Sequence, residues 1–267
     1  MSRIALATCS ALPGLDDDSR LLLDALNGRA VAVVWDDPAV DWASFDACLI
    51  RSTWDYHRRR EEFLAWARRV ASVTRLWNPL SVVEWNTDKA YLRRFPSIPT
   101  TWLSRGSRAE LVLEDAVIKP RVSASGENTW RVRPGKPGQA LLDALLVEHD
   151  VMVQPYISSV ETEGEISLTY LAGEFSHAIR KVPRPGEFRS QEEWGSEIRA
   201  ITPGAEERRF SDEVLAAVEE PLLYARVDLV RGDRLLLAEL ELVEPSLYFR
   251  FSPVSAEKFA AAIQRGL

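Results

Sequence analysis

Along residues 1–80, solid apolar runs alternate with segments whose apolar residues recur every three or four positions. "RIALATC" (3–9), "AVAVVW" (30–35) and "FDACLIRST" (45–53) are continuous runs, the pattern of strands buried on both faces. Between the first two, "DDDSRLLLDALNG" (16–28) has acidic starters, a helical middle and a glycine stop. "REEFLAWARRVAS" (60–72) is an amphipathic helix, and "TRLWN" (74–78) closes the unit. This alternation predicts a small parallel, Rossmann-like sheet. No GxGxxG follows the first strand and no GxxxxGK[ST] occurs, so neither a dinucleotide fingerprint nor a P-loop is present.

The proline-containing "FPSIPTTW" (95–102) marks a boundary. Beyond it come a strand "AVIKP" (116–120), a Gly/Ser-rich loop (121–132), a turn "RPGKPGQ", a helix (140–150) and a strand "VMVQPYI" (151–157). From residue 165 the pattern becomes antiparallel, with one hairpin around Ala172-Gly173 and a second over 224–249. A connector, "PRPGEFRSQEEWGSE" (183–197), separates them.

The second hairpin carries acids inside its apolar run. Side chains alternate faces along a strand, so Glu239 and Glu241 share one face. A two-residue Gly232-Asp233 loop sets Val230 opposite Leu235, Asp228 opposite Leu237 and Arg226 opposite Glu239. Arg226, Asp228, Glu239 and Glu241 then lie together, either as a solvated face or as a cation site. By the same parity Glu244 points to the other face.

Composition narrows the classes. The 267 residues are 46% hydrophobic and 27% charged, with a net charge of −7, so no basic footprint for nucleic acid exists. No apolar run approaches a membrane span, and "MSRIALATCS" reads as a strand rather than a leader. Cys9 and Cys48 sit in apolar segments and read as reduced core thiols, as expected of a cytoplasmic protein. His57, His149 and His177 show no metal spacing. Tryptophans at spacings such as Phe63 to Trp66 belong to the core. At the end of the third strand Arg51, Ser52, Thr53 and Asp55 are either a substrate pocket or a structural turn.

Lys119 ends a strand directly before Ser123-Ala124-Ser125-Gly126, a loop whose backbone amides can approach phosphates. In order along the chain stand Lys89, Lys119 with its loop, "VQPYI", Glu165, Lys181, Arg189 and the acidic hairpin. With "IRSTWDY", "WNTDK", "VIKP", "SASGENT", "EGEISL", "SHAIRKVP", "FRSQEEWG" and "ELELVEPSL", this order resembles the ATP-grasp superfamily. Within it the chain is similar to the glutathione-synthetase-like carboxylate–amine ligases, a group that includes a cyclo-ligase of D-cycloserine biosynthesis.

The resemblance implies an α/β ATP-grasp fold: a Rossmann-like domain (1–85), a central lid subdomain (86–155) and a C-terminal α+β subdomain (156–267). It implies ATP and Mg²⁺ (or Mn²⁺) as cofactors, small-molecule carboxylate and amine substrates, and a homodimer as one oligomeric state. Lys89, Lys119, Ser123, Ser125 and Gly126 would meet the phosphates, and Gln154, Tyr156 and Ile157 the adenine. Glu165 and Glu161 would accept from the ribose. Asp228, Glu239 and Glu241 would hold the metal; many relatives have asparagine at the last position. Lys181, Arg189 and Arg226 would act on the transferred phosphoryl group. Ligation through an acyl phosphate follows, with intramolecular ring closure or non-catalytic nucleotide binding as alternatives.

Overall fold

The computed structural model describes residues 3–112, 114–133 and 138–266. Its first sheet is parallel, with β1 (Ile4–Thr8), β2 (Ala30–Val34), β3 (Ala47–Ser52) and β4 (Arg75–Trp77) in the order β2-β1-β3-β4. Every residue of β1 and β3 is buried, as their unbroken apolar runs require. Helix α1 (Asp17–Ala25) covers one face with α6 (Pro253–Gly266), where Leu22, Leu26, Phe259 and Ile263 share a core. Helix α2 (Arg60–Val73) covers the other with Phe63, Trp66 and Val70. Asp16 caps α1 by accepting from the backbone N–H groups of Asp18 and Ser19, both at 3.2 Å.

The second sheet is antiparallel, β5-β8-β6-β7, built from β5 (Thr101–Leu103), β6 (Ala116–Pro120), β7 (Trp130–Val132) and β8 (Val151–Pro155). Helix α4 (Gly138–Glu148) packs Leu142, Leu145 and Leu146 against it. The stretch 121–132 is therefore not all loop, because Trp130 and Val132 pair with Ile118 and Ala116. The turn expected after it lies largely at 134–137, outside the described residues.

The third sheet runs β11-β10-β9-β12-β13, with β9 (Glu165–Leu171), β10 (Glu174–Val182), β11 (Glu197–Ile201), β12 (Tyr224–Arg231) and β13 (Leu235–Glu241). Its register corrects the expected hairpin. The loop holds Gly232, Asp233 and Arg234, since Arg231 pairs with Leu235, and this displaces the strands by one residue. A bulge at Ala238 displaces them by one more, so Asp228 faces Glu239 and Arg226 faces Glu241. Two single-residue shifts preserve parity, and the four charged side chains keep their common face. Two further helices complete the chain, α3 (Leu80–Asn86) and α5 (Ala205–Ala216). Asn86 brackets β13 from the side, donating to Leu240 O and accepting from Leu242 N at 2.9 Å each.

Candidate functional site

One cavity of ≈ 390 Å³ lies where the segments following β1 and β3 of the first sheet meet the second and third sheets. Lys89 and Lys119 enter from the central part of the chain; Lys181, Arg226, Glu239 and Glu241 come from the third sheet. Ser123, Ser125 and Gly126 border it, and Asp16–18 and Trp54 close it from the first sheet.

Charge is arranged tightly along its floor. Lys119 Nζ donates to Glu239 Oε1 at 3.2 Å, and Lys89 Nζ lies 3.8 Å from the same oxygen while donating to Ser123 O at 2.6 Å. Removal from water would raise the Glu239 pKa, but the two ammonium groups outweigh it and hold it at about 2. Arg226 grips Asp228 through Nε and Nη2 at 2.9 Å and also bonds Glu241. Lys181 pairs with Glu165 and lies 3.5 Å from Asp228. Buried Asp228 stays well below the usual carboxylate range because Arg226 and Lys181 overcome the cost of burial. Glu241 is left over: removal from water, with Asp228 and Glu239 beside it, lifts it to about 7 despite Arg226.

Asp228, Glu239 and Glu241 each bring a carboxylate oxygen within 4.8 Å of the others. Three hard oxygens this close, with one carboxylate short of compensating charge, fit a divalent cation such as Mg²⁺.

Behind the cavity, the carbonyls of 242–247 are tied one after another to side chains from elsewhere. Asn78 donates to Leu242 O at 2.8 Å, Tyr224 to Val243 O at 2.9 Å and Trp54 to Glu244 O at 3.2 Å. Arg51 donates to Pro245 O, Arg226 to Ser246 O at 3.1 Å and His177 Nε2 to Leu247 O at 2.8 Å. Strand β13 ends at Glu241, so alternation no longer governs Glu244. It lines the same cavity, contrary to the parity expectation. Removal from water and the nearby Glu241 raise its pKa to about 8.

Residues 88–248 match the prokaryotic glutathione synthetase ATP-grasp domain family. The chain belongs to the ATP-grasp family. This ATP-grasp ligase also matches, over residues 4–78, the N-terminal domain of D-cycloserine synthetase DcsG. It is 33% identical over 303 aligned positions to the cycloserine biosynthesis protein DcsG of Streptomyces lavendulae, covering 100% of this chain and 99% of that one. A glutathione synthetase of Parasynechococcus marenigrum is 28% identical over 66% of this chain and 59% of its own. The crystal structure of D-cycloserine synthetase DcsG superposes with a TM-score of 0.88 at 32% identity, covering 99% of both chains. D-alanine–D-alanine ligase of Bacillus anthracis shares the fold, with a TM-score of 0.68 at 14% identity over 99% of this chain and 97% of that one. The ATP-grasp ligase is thus an enzyme that forms carbon–nitrogen bonds at the expense of ATP.

Several residues expected at the site stand behind its walls. Arg189 is bidentate on Glu187, with Nε and Nη2 at 2.9 and 2.8 Å, and stacks 3.1 Å over Trp194 beneath the 123–128 loop. Trp194 Nε1 donates to Ser125 O at 3.1 Å, and a Cβ at Gly126 would come within 3.1 Å of that nitrogen. Gly126 is there because the loop and the connector touch. Buried Gln154 donates to Thr100 Oγ1 at 2.9 Å, and Ile157 packs with Val160 and Val230. Glu161 pairs with Arg131 at 2.6 Å and accepts from Tyr156 at 2.8 Å. Glu165 reaches the cavity only through Lys181.

Arg51, Ser52, Thr53 and Asp55 do not form the pocket. Arg51 is buried against Tyr224 and holds Pro245 O. Ser52 Oγ donates to the α1 cap Asp16 at 2.6 Å, and Asp55 accepts from Trp35 Nε1 at 3.0 Å. Thr53 is buried beside them. They hold the wall in place, while Trp54 among them faces the cavity. Asp16–18, Trp54, Glu192, Tyr248 and Arg250 also line the cavity, although none of them stands in a ligand pattern along the chain. Cys9 and Cys48 are buried, free thiols. No helix among the described residues is long and apolar enough to cross a membrane.

Proposed function

We propose that the cavity binds ATP with Mg²⁺ (Mn²⁺ as an alternative), phosphorylates a small carboxylate to an acyl phosphate, and lets a nitrogen nucleophile capture it, leaving ADP and phosphate. The observation that carries this is the convergence of Lys89, Lys119, Lys181 and Arg226 on three clustered carboxylates in one cavity. Lys89 and Lys119 neutralise nucleotide phosphates, and the 123–128 loop covers them and keeps water from the acyl phosphate. Lys181 and Arg226 offset charge on the phosphoryl group in flight. Asp228, Glu239 and Glu241 would hold Mg²⁺, which when bound supplies positive charge against the phosphate oxygens.

In this reading residues 1–85 carry the substrate side, 86–155 the lid and 156–267 the metal hairpin. The buried thiols suit a reducing cytoplasm, and a homodimer is its expected assembly. Likeness to the cycloserine biosynthesis protein over the whole chain favours a substrate holding both carboxylate and nitrogen, so that ligation closes a ring.

Opening the cycloserine ring at its amide gives β-aminooxy-D-alanine, which makes that compound and its N-substituted derivatives the first probes. ADP release and product mass are measured with each alone and with pairs of amino acids. Turnover of a single compound to a product smaller by water indicates ring closure, and turnover only of a pair indicates intermolecular ligation. ATP binding without carboxylate-dependent ADP release in any combination would overturn the proposal.

A further inference from the structure

Glu244 occupies a position that the fold goes to some length to fix. Each backbone carbonyl from 242 to 247 is bound by a side chain: Tyr224 and Arg226 come from β12, and Arg51, Trp54, Asn78 and His177 from distant parts of the sequence. Among the described residues, no other side chain donates to the Glu244 carboxylate, which borders the cavity. Half-buried in the cavity wall, with no side-chain donor and with Glu241 nearby, this carboxylate does nothing for the stability of the fold, so its placement has another purpose. It is not part of the Asp228, Glu239 and Glu241 cluster, because the chain has left the strand. In its ionised form, the form a base must take, it only accepts hydrogen bonds and repels phosphate and substrate carboxylate alike, so of the reacting groups it attracts only the nitrogen.

We infer that Glu244 receives the nitrogen nucleophile, accepting a hydrogen bond from its N–H and then its proton. This rests on the ligase reading above. The nitrogen lone pair forms the C–N bond, the bond from the acyl carbon to the phosphate oxygen breaks, and phosphate leaves with that electron pair. The nitrogen's proton passes to the Glu244 carboxylate. The aromatic walls at Trp54, Tyr56 and Tyr248 leave room for a small nucleophile. Burial beside Glu241 raises the proton affinity of Glu244, in the direction a base needs. Arg51, which holds Pro245 O, is a positioning residue for it.

The test separates the two chemical steps in the Glu244→Gln protein. With ATP, Mg²⁺ and β-aminooxy-D-alanine, or whichever of the compounds above wild type turns over, rapid quenching follows ADP and amide product within one turnover. Glu244→Gln should keep its ADP burst, its ATP affinity and its Mg²⁺ half-saturation within about two-fold, while amide formation slows by roughly 10²–10⁴. Glu244→Asp, which keeps a carboxylate one methylene back, should recover part of that loss; it decides the matter if the glutamine protein melts below assay temperature. Amide formation at the wild-type rate in both variants would overturn the inference. So would loss of the ADP burst, or a shifted Mg²⁺ requirement, which would move Glu244 to the phosphate or metal. No ADP formation by wild type with any compound defeats the ligase reading, and this inference falls with it.

Discussion

Glu239 accepts from Lys119 at 3.2 Å and faces Lys89 at 3.8 Å, so the two lysines and the carboxylate share one small space. On the proposed function, replacing Lys119 by alanine would remove a charged hydrogen bond to a nucleotide phosphate, which contributes about 1.5–3 kcal/mol. ATP affinity by calorimetry should fall roughly 10- to 100-fold; an unchanged affinity would remove Lys119 from the site. Arg226 tests stability instead. It is buried with Asp228 and also bonds Glu241, so Arg226→Met leaves two carboxylates without their principal cation. Loss of one partner of a buried pair costs about 3–5 kcal/mol, which urea denaturation of the metal-free protein should register. Lys119 and the acids were legible because they sit on strands, where alternation tells which side chains share a face, whereas Lys89 starts a short helical turn (Lys89–Arg94) and was legible only through the family resemblance. Arg51 misled because a polar residue at a parallel strand's end resembles a ligand, whereas its guanidinium ties down Pro245.

The loop at 123–128 is held from two directions. Glu127 accepts from His57 Nε2 at 2.6 Å and from Arg58 Nη2 at 3.0 Å, while Trp194 holds Ser125 from the opposite side. Neither tie was visible in sequence, since 70 residues separate His57 from Glu127. Both join the loop to a single short helical turn, Tyr56–Arg58 or Glu192–Trp194, where periodicity says nothing. The pairing with His57 and Arg58 outweighs desolvation and lowers the Glu127 pKa from its ordinary 4.5. A depressed carboxylate contributes its stabilisation above the ordinary value and loses it as pH falls through the lowered one. Glu127→Gln at pH 7 should therefore loosen the loop, by about two- to five-fold in its rate of limited proteolysis. Acid below the ordinary carboxylate range should loosen the wild-type loop in the same direction. Equal cleavage rates in the two proteins at pH 7 would show that the tie holds nothing. Arg189, stacked on Trp194, belongs to this clamp, and Arg189→Ala should likewise raise cleavage of the loop.

At the scale of the whole chain, the parallel first sheet was legible from its solid apolar runs, and both antiparallel hairpins from alternation. The register of β12 against β13 was not, because a three-residue loop and a bulge each displaced it by one. Helices α3, α5 and α6 and strands β5 and β11 went unread, their marks being weak beside those of the hairpins. The aromatic and acidic wall of the cavity was equally hidden, since it forms only when the N-terminus of α1 meets 244–250. There the Arg250 N–H donates to Asp18 at 3.2 Å. On the proposed function, Asp228, Glu239 and Glu241 are metal ligands rather than a repulsive cluster that the fold tolerates. Titrating Mg²⁺ at saturating ATP, with ADP release as readout, tests it most directly in wild type, Glu239→Gln and Glu241→Gln. Both variants should need about ten-fold more Mg²⁺ or more for half-maximal rate, or lose turnover altogether, since each forfeits a ligand to the cation. Superimposable Mg²⁺ curves, with both variants more heat-stable than wild type, would contradict it.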